Sequence, residues 1–297
     1  MLKILLARFQ QGHRTVAYPT RPPALPDRFR GAPRIDASKC PDGCRACTEA
    51  CPTDAIATDE RGPRLDMGRC LFCIDCVEAC PEGAITFTNE YRLGARARDD
   101  LVVRGEWEHR AQALDVNARR LFGRSLKLRV VSAGGCNGCE SDVNVLGTLV
   151  FDLGRFGIQF VASPRHADGL LVTGPVTENM RLALKKTYDA VPEPKIVVAV
   201  GACAIAGGPY IDHPEVHNGA SSVVPVDLFV PGCPPHPFTI LDGLLGLLGR
   251  LEGGSWSERA VKVGEQIKSE NARLGQQRAY DEARSLGVDL RDDDDDE

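Results

Sequence analysis

The sequence predicts an α/β protein of two domains, a duplicated cysteine-rich metal module followed by a parallel sheet with helices on its faces. Three observations carry this prediction. The 297 residues suffice for about two domains, and with 43% hydrophobic residues they can bury a core. A cysteine motif occurs twice and aligns without gaps, "CRACTEACPTDAIAT" at 44–58 and "CIDCVEACPEGAITF" at 73–87. From residue 125 onward, short β-branched runs end in glycine or proline and alternate with helix-spaced runs. That alternation implies parallel strands joined by helices.

Residues 1–34 read as an extended N-terminal arm. "YPTRPPALPDRFRGAPR" (18–34) carries too many prolines for a regular helix. The first twelve residues can form a short, basic amphipathic helix, read as a docking arm or frayed end. "MLKILLARFQQG" has a short apolar run and no small-residue cleavage site, so no secretory leader is expected. Residues 35–92 contain the repeat, and duplication implies a pseudo-symmetric module with two equivalent metal sites. Residues 93–124 are charged and weakly periodic, a partly helical linker.

Residues 125–252 form the second domain, with strands expected at 126–131, 158–162, 169–174, 195–201 and 226–232. Helices are expected near 178–190 and 237–251. A further helix after the first strand would bury a face carrying Val143, Leu146, Leu149, Val150 and Leu153. Residues 253–297 form a polar tail ending in the acidic run "DDDDDE", read as solvated charge.

The net charge of −5, with no basic domain and 6% aromatics, gives nucleic-acid binding little support. No apolar run reaches the ~18 residues of a membrane span, and "FTILDGLLGLLG" is interrupted by Asp242. Neither a G-x-G-x-x-G nor a Walker pattern occurs. Twelve cysteines in a chain expected to stay reduced point to metal.

"CLFCIDCVEACP" (70–81) is C-x-x-C-x-x-C-x-x-x-C-P, the bacterial ferredoxin run whose fourth cysteine ligates the other cluster. Cys70, Cys73 and Cys76 are therefore expected to hold one 4Fe–4S cluster with Cys51. Cys40, Cys44 and Cys47 would hold another with Cys80. The first run opens on "CPDGC", one residue longer than usual, an extension that a Pro-Asp-Gly turn tolerates. Zinc also uses C-x-x-C pairs, yet a zinc module needs neither the following proline nor the duplication.

Four cysteines remain. Cys136 and Cys139 follow the first strand of the second domain in "VVSAGGCNGCESDV", Cys203 the fourth in "VVAVGACAIAGG" and Cys233 the fifth in "LFVPGCPP". Loops at the carboxyl ends of parallel strands gather on one edge, so these four can converge on a third cluster. Glycines 134, 135, 138, 201, 207, 208 and 232 let backbone close round a group wider than one ion, and Pro234 and Pro235 stiffen the last loop. Four unrelated buried cysteines are the alternative, but such residues favour cores over glycine-rich loops. Glu140 is a candidate for a proton path, although it and Asp142 also suit a helix N-terminus. His213, His217 and His236 could face a partner or quinone, roles that scattered loop histidines usually lack. With every thiol assigned, no catalytic residue is expected in this chain.

"GGCNGCE", "VGACAIAGG" and "VPGCPP" resemble the small subunit of nickel–iron hydrogenases and the related cluster-bearing subunit of respiratory complex I. The C-x-x-C spacing is more similar to the hydrogenase side, in membrane-bound, formate hydrogenlyase-type enzymes. The N-terminal third, with "FRGAPRID" and "NEYRL" flanking the repeats, resembles the separate ferredoxin-like subunit of such assemblies, so the chain looks like two subunits fused. The resemblance implies a flavodoxin-like domain holding the cluster nearest a partner's active site. It also implies three 4Fe–4S clusters that conduct electrons within an oxidoreductase complex, with no catalysis by the chain alone. Expected partners are a nickel–iron hydrogenase-like or complex I-like large subunit, an electron-donor subunit or ferredoxin, and integral-membrane subunits. The chain shows neither a twin-arginine signal nor an extra C-terminal cluster domain, so the expected location is cytoplasmic and peripheral on the inner face of the membrane. A complex I-like complex without nickel, reducing quinone or another acceptor, stays open beside this reading, as does a carrier acting alone.

Overall fold

Two short repeats give the N-terminal half its symmetry. The computed structural model of the chain describes residues 2–12, 14–41, 43–108, 114, 121–122, 125–249 and 251. The polar tail 253–297 and most of the linker beyond 108 lie outside the described residues. Helix α1 spans Leu2–Gln11. The arm after it is irregular, as its prolines dictate, and Thr15 Oγ1 and Val16 N–H donate to the carbonyls of Leu149 and Val150 (both 2.9 Å).

In the repeat module, β1 (Pro33–Ile35) pairs antiparallel with β4 (Ile85–Phe87), and β2 (Ile56–Asp59) with β3 (Gly62–Asp66). Each repeat contributes one short helix at the same point of its motif, α2 (Ala46–Glu49) and α3 (Asp75–Glu78). Leu65, Met67 and Ile85 are buried in one apolar cluster together with Leu101. Leu101 comes from the segment read as linker, and β5 (Val102–Val103) from the same segment adds a third strand beside β3. Arg98, also from that segment, clasps Asp66 through two hydrogen bonds of 2.7 and 2.6 Å.

The second domain is a five-stranded parallel sheet of β6 (Leu126–Ser132), β7 (Ile158–Phe160), β8 (Gly169–Thr173), β9 (Ile196–Val200) and β10 (Leu228–Val230). Its order, β10-β9-β8-β6-β7, is the flavodoxin-like one. Every residue of β8, β9 and β10 is buried, which is why these strands read as unbroken apolar runs, with both faces covered. Helix α5 (Glu178–Ala190) covers the expected 178–190, and the short helix α6 (Ala202–Ala206) follows β9. Helix α7 (Pro237–Leu247) is shorter than expected and buried along its whole length, Asp242 included. Pro237 opens it without loss of a helical hydrogen bond, and His236 Nδ1 accepts from the Phe238 N–H (3.2 Å).

The expected helix face through Leu153 is corrected. Helix α4 (Gly138–Val145) ends early, in turns closed by Gly147 N–H to Asn144 O and Thr148 N–H to Val145 O. Val143, Leu146 and Leu153 are buried as expected, whereas Leu149 and Val150 are 67% and 44% exposed. Apolar spacing alone cannot distinguish a continuing helix from turns whose carbonyls are taken by the arm.

A backbone junction joins the two halves. Ala95 pairs antiparallel with Phe229 on edge strand β10, exchanging hydrogen bonds of 3.0 and 2.8 Å. The unpaired polar edge of the sheet is thereby partly covered.

Candidate metal centres

The three groups of thiols are built by three different local devices. In each repeat, the loop Cys-x-x-Cys runs into its short helix and returns through Cys-Pro. Residues Asp54 and Gly83, at equivalent positions, both take positive φ (50° and 58°). That turn aims the next N–H backwards, so Ala55 N–H donates to Cys51 Sγ and Ala84 N–H to Cys80 Sγ, each at 3.2 Å. Phe72 N–H likewise donates to Cys70 Sγ at 3.3 Å. Backbone donors on sulfur favour a thiolate carrying metal.

Cys40, Cys44, Cys47 and Cys80 line one cavity of about 630 Å³. Cys51, Cys70, Cys73 and Cys76 line a second, narrower one. The fourth cysteine of each repeat thus sits with the other repeat's three. The two groups adjoin, since Cys76 feels the charge of Cys47 as well as those of Cys73 and Cys51.

Cys136, Cys139, Cys203 and Cys233 meet at the carboxyl edge of the parallel sheet. Burial first, then the neighbouring thiols Cys203, Cys233 and Cys136 with Glu140 between, push the Cys139 thiol far up. Gly201, which ends β9, permits this meeting. Its backbone (φ 92°, ψ 155°) is a conformation essentially confined to glycine, and a Cβ there would lie 2.4 Å from Cys139 Sγ. Cys203 is buried, while Cys136 and Cys233 are exposed. The third group is therefore open to the surface on one side.

Among the described residues, no three His, Cys, Asp or Glu groups close on one ion-sized point. Four thiols to a group, with N–H donors on Cys80 in the first and on Cys51 and Cys70 in the second, fit a cubane. Without metal, burial first and then neighbouring thiols push Cys70 and Cys203 up to about 12 and Cys76 to about 11. Bound iron reverses this, because a coordinating thiol is deprotonated outright.

The sign follows for pH. A thiol with a folded pKa above its unfolded value near ~8.5 keeps its proton longer in the fold than in the unfolded chain. Metal-depleted protein is expected to lose stability as pH rises from about 8.5 toward the folded values. Thermal unfolding at about pH 8 and about pH 10 checks this, and an unchanged midpoint would contradict it.

Glu140 directly follows Cys139 and is buried, 8% exposed. Its carboxylate accepts from Ser132 Oγ (2.5 Å) and Thr173 Oγ1 (2.8 Å), hydroxyls at the ends of β6 and β8 that sequence reasoning did not single out. Both hydroxyls end strands whose pairing places Ser132 opposite Thr173. The three histidines are structurally engaged. His217 Nε2 meets Glu178 Oε2 at 2.5 Å, His213 Nδ1 accepts from Glu215 N–H, and His236 caps α7.

A cavity of about 770 Å³ is lined by both Cys73 of the second group and Cys233 of the third. Arg28, Arg30, Asp142 and His236 supply its polar wall. Burial lowers the pKa of His236 and raises that of Asp142.

Residues 136–247 match the family described as NADH ubiquinone oxidoreductase, 20 Kd subunit, and residues 39–84 match the 4Fe-4S dicluster domain. The chain is 44% identical over 132 residues to the probable membrane-bound hydrogenase subunit mbhJ of Pyrococcus furiosus, across 44% of this chain and 79% of that one. It is 39% identical over 160 residues to formate hydrogenlyase subunit 7 of Escherichia coli, across 54% of this chain and 63% of that subunit. It is 46% identical over 110 residues to an NADH-quinone oxidoreductase subunit of Clostridium beijerinckii, across 37% of this chain and 65% of that one. Thus the match spans less than two thirds of the last two relatives. No helix among the described residues is long and apolar enough to cross a membrane.

Proposed function

The chain belongs to the family of the NADH ubiquinone oxidoreductase 20 Kd subunit, and from that membership we propose that it relays electrons through three 4Fe–4S clusters to or from a partner's active site. It is an iron–sulfur subunit of an oxidoreductase complex of the hydrogenase and complex I kind. The partner in this reading is a nickel–iron large subunit in a membrane-associated, formate hydrogenlyase-like complex. An electron-donor subunit or ferredoxin and integral-membrane subunits complete it, and the chain works on the cytoplasmic face.

The observation that carries the reading is the succession of the thiol groups. The first adjoins the second through Cys47 and Cys76, the second and third line one cavity through Cys73 and Cys233, and the third opens to the surface. Such clusters supply one-electron uptake and release, over potentials set by charge, burial and hydrogen bonds to sulfur. The chain's residues hold, order and tune them. Cys40, Cys44, Cys47 and Cys80 would hold the first, Cys51, Cys70, Cys73 and Cys76 the second, and Cys136, Cys139, Cys203 and Cys233 the third. Backbone N–H groups of Ala55, Phe72 and Ala84 disperse charge on sulfur. Glu140, fixed by two hydroxyls beside Cys139, is the candidate for a proton path near the third group.

The C-x-x-C spacing of Cys136 and Cys139 favours the nickel-containing partner over a nickel-free, quinone-reducing one. The discriminating experiment is an anaerobic purification of the native complex, with nickel and iron quantified and hydrogen evolution assayed from a reduced viologen. Nickel together with hydrogen evolution is the expected result. About twelve irons on this chain, in an intact complex without nickel or hydrogen evolution, would transfer the chain to a complex I-like enzyme.

A further inference from the structure

Two motifs flank the cysteine repeats without supplying a thiol, and the fold brings them together. Gly31 of "FRGAPRID" donates its N–H to Thr88 O (2.7 Å), and Ala32 donates to Glu90 O (2.8 Å) in "NEYRL". A Cβ on Gly31 would stand 2.1 Å from Glu90 O, so only glycine allows the two strands of chain to lie this close. The residue held in place by that contact is Arg30. Its guanidinium donates to Phe72 O at 2.9 Å, inside the loop between Cys70 and Cys73.

Phe72 has an unusual backbone. Its φ is +53°, where the first repeat has Gly43 at +76° in the equivalent position. A phenylalanine in that conformation is strained unless its surroundings hold it. Its two peptide groups are both engaged, the N–H on Cys70 Sγ and the C=O on Arg30. Arg30 also lines the cavity shared by Cys73 and Cys233, and no described carboxylate forms an ion pair with it there.

We propose that Arg30 is the positioning residue of the second cluster. It clamps the Phe72 carbonyl and places a positive charge beside the gap between Cys73 and Cys233, favouring the reduced, more negative state of the cluster held by Cys51, Cys70, Cys73 and Cys76. The inference rests on that ligand assignment and goes beyond it. Reduction adds negative charge, so a fixed cation nearby raises the potential. Because Arg30 is largely exposed, salt screens the effect.

The test uses the assembled complex with Arg30→Gln and Arg30→Lys, titrated anaerobically and followed by electron paramagnetic resonance at low and high salt. Arg30→Gln is expected to move the second cluster's potential to a more negative value while the first cluster's stays in place. Arg30→Lys is expected to restore most of the shift, and high salt to diminish it. An unmoved second-cluster potential in Arg30→Gln at low salt, or an equal shift of all clusters, overturns the proposal. Should Arg30→Gln shed the cluster, the wild-type and Arg30→Lys proteins still decide, since a salt-independent second-cluster potential in both overturns it. Iron content and the wild-type spectrum report the ligand assignment separately. A wild-type complex lacking the second cluster's signal would overturn that assignment, and the proposal with it.

Discussion

Gly201→Ala is expected to strip the third cluster while leaving the other two, lowering the iron on this chain from about twelve to about eight atoms. The new methyl would sit 2.4 Å from Cys139 Sγ and 3.5 Å from Gly232 O, wedged between two ligand loops. The backbone adds its own penalty, of order 1–3 kcal/mol for a non-glycine residue in this region. Neither neighbour can retreat easily. Cys139 lies in the first turn of α4, and Gly201 N–H and Ala202 N–H are tied to Val230 O and Gly232 O at 2.8 Å each. Electron flow to the partner's active site should fall to background, while reduction of the repeat module by an external donor persists. Gly12→Ala is the control, because Gly12 also has positive φ but faces open space. Iron analysis and low-temperature spectra of the purified complex read the outcome. A full complement of iron in Gly201→Ala would remove the third site from the loops that Gly201 joins.

Gly169→Ala is expected to weaken the fold itself, by about 3 kcal/mol, at the upper end of ordinary overpacking. Gly169 opens β8, the middle strand of the sheet, paired with Leu128 on one side and Ile196 on the other. A Cβ there would lie 2.2 Å from Ile196 O and 2.7 Å from Ile196 Cγ1. The carbonyl belongs to the neighbouring strand, so relief requires β8 and β9 to part. For a chain of this size the melting temperature should drop by roughly 6–12 °C, with cluster content unchanged at low temperature. Thermal unfolding of the loaded protein decides. A drop below about 2 °C would show that the strand pair yields more readily than its register suggests.

Much of the architecture was legible because it rests on short-range pattern. The cysteine repeat and the parallel sheet both follow from spacings of a few residues. The resemblance carried by "GGCNGCE" and "VPGCPP" agrees with the family match over 136–247. The end of α4 was not legible, since Leu149 and Val150 continue an apolar rhythm that the chain abandons at Gly147. Nor was the role of the segment after residue 93, where Leu101 and β5 complete the module's core and sheet. Arg30 and Phe72 are 42 positions apart, and no local rule pairs an arginine in a proline-rich arm with one carbonyl in a cysteine loop.

By itself the sequence determined that the chain binds iron–sulfur clusters, that a duplicated module precedes a parallel sheet, and that the last four cysteines follow three strands of that sheet. These are properties of bonded neighbours, where the chain's own geometry leaves few alternatives. Only the tertiary structure decided that Cys73 and Cys233 face a common cavity, that Ser132 and Thr173 hold Glu140, and that Ala95 joins the module to β10. Apart from the Ser132–Glu140 bond, which spans eight positions, those contacts join residues distant along the chain. Which distant partners meet depends on how both domains pack and which backbone edges remain to be paired, a choice made by the folded whole.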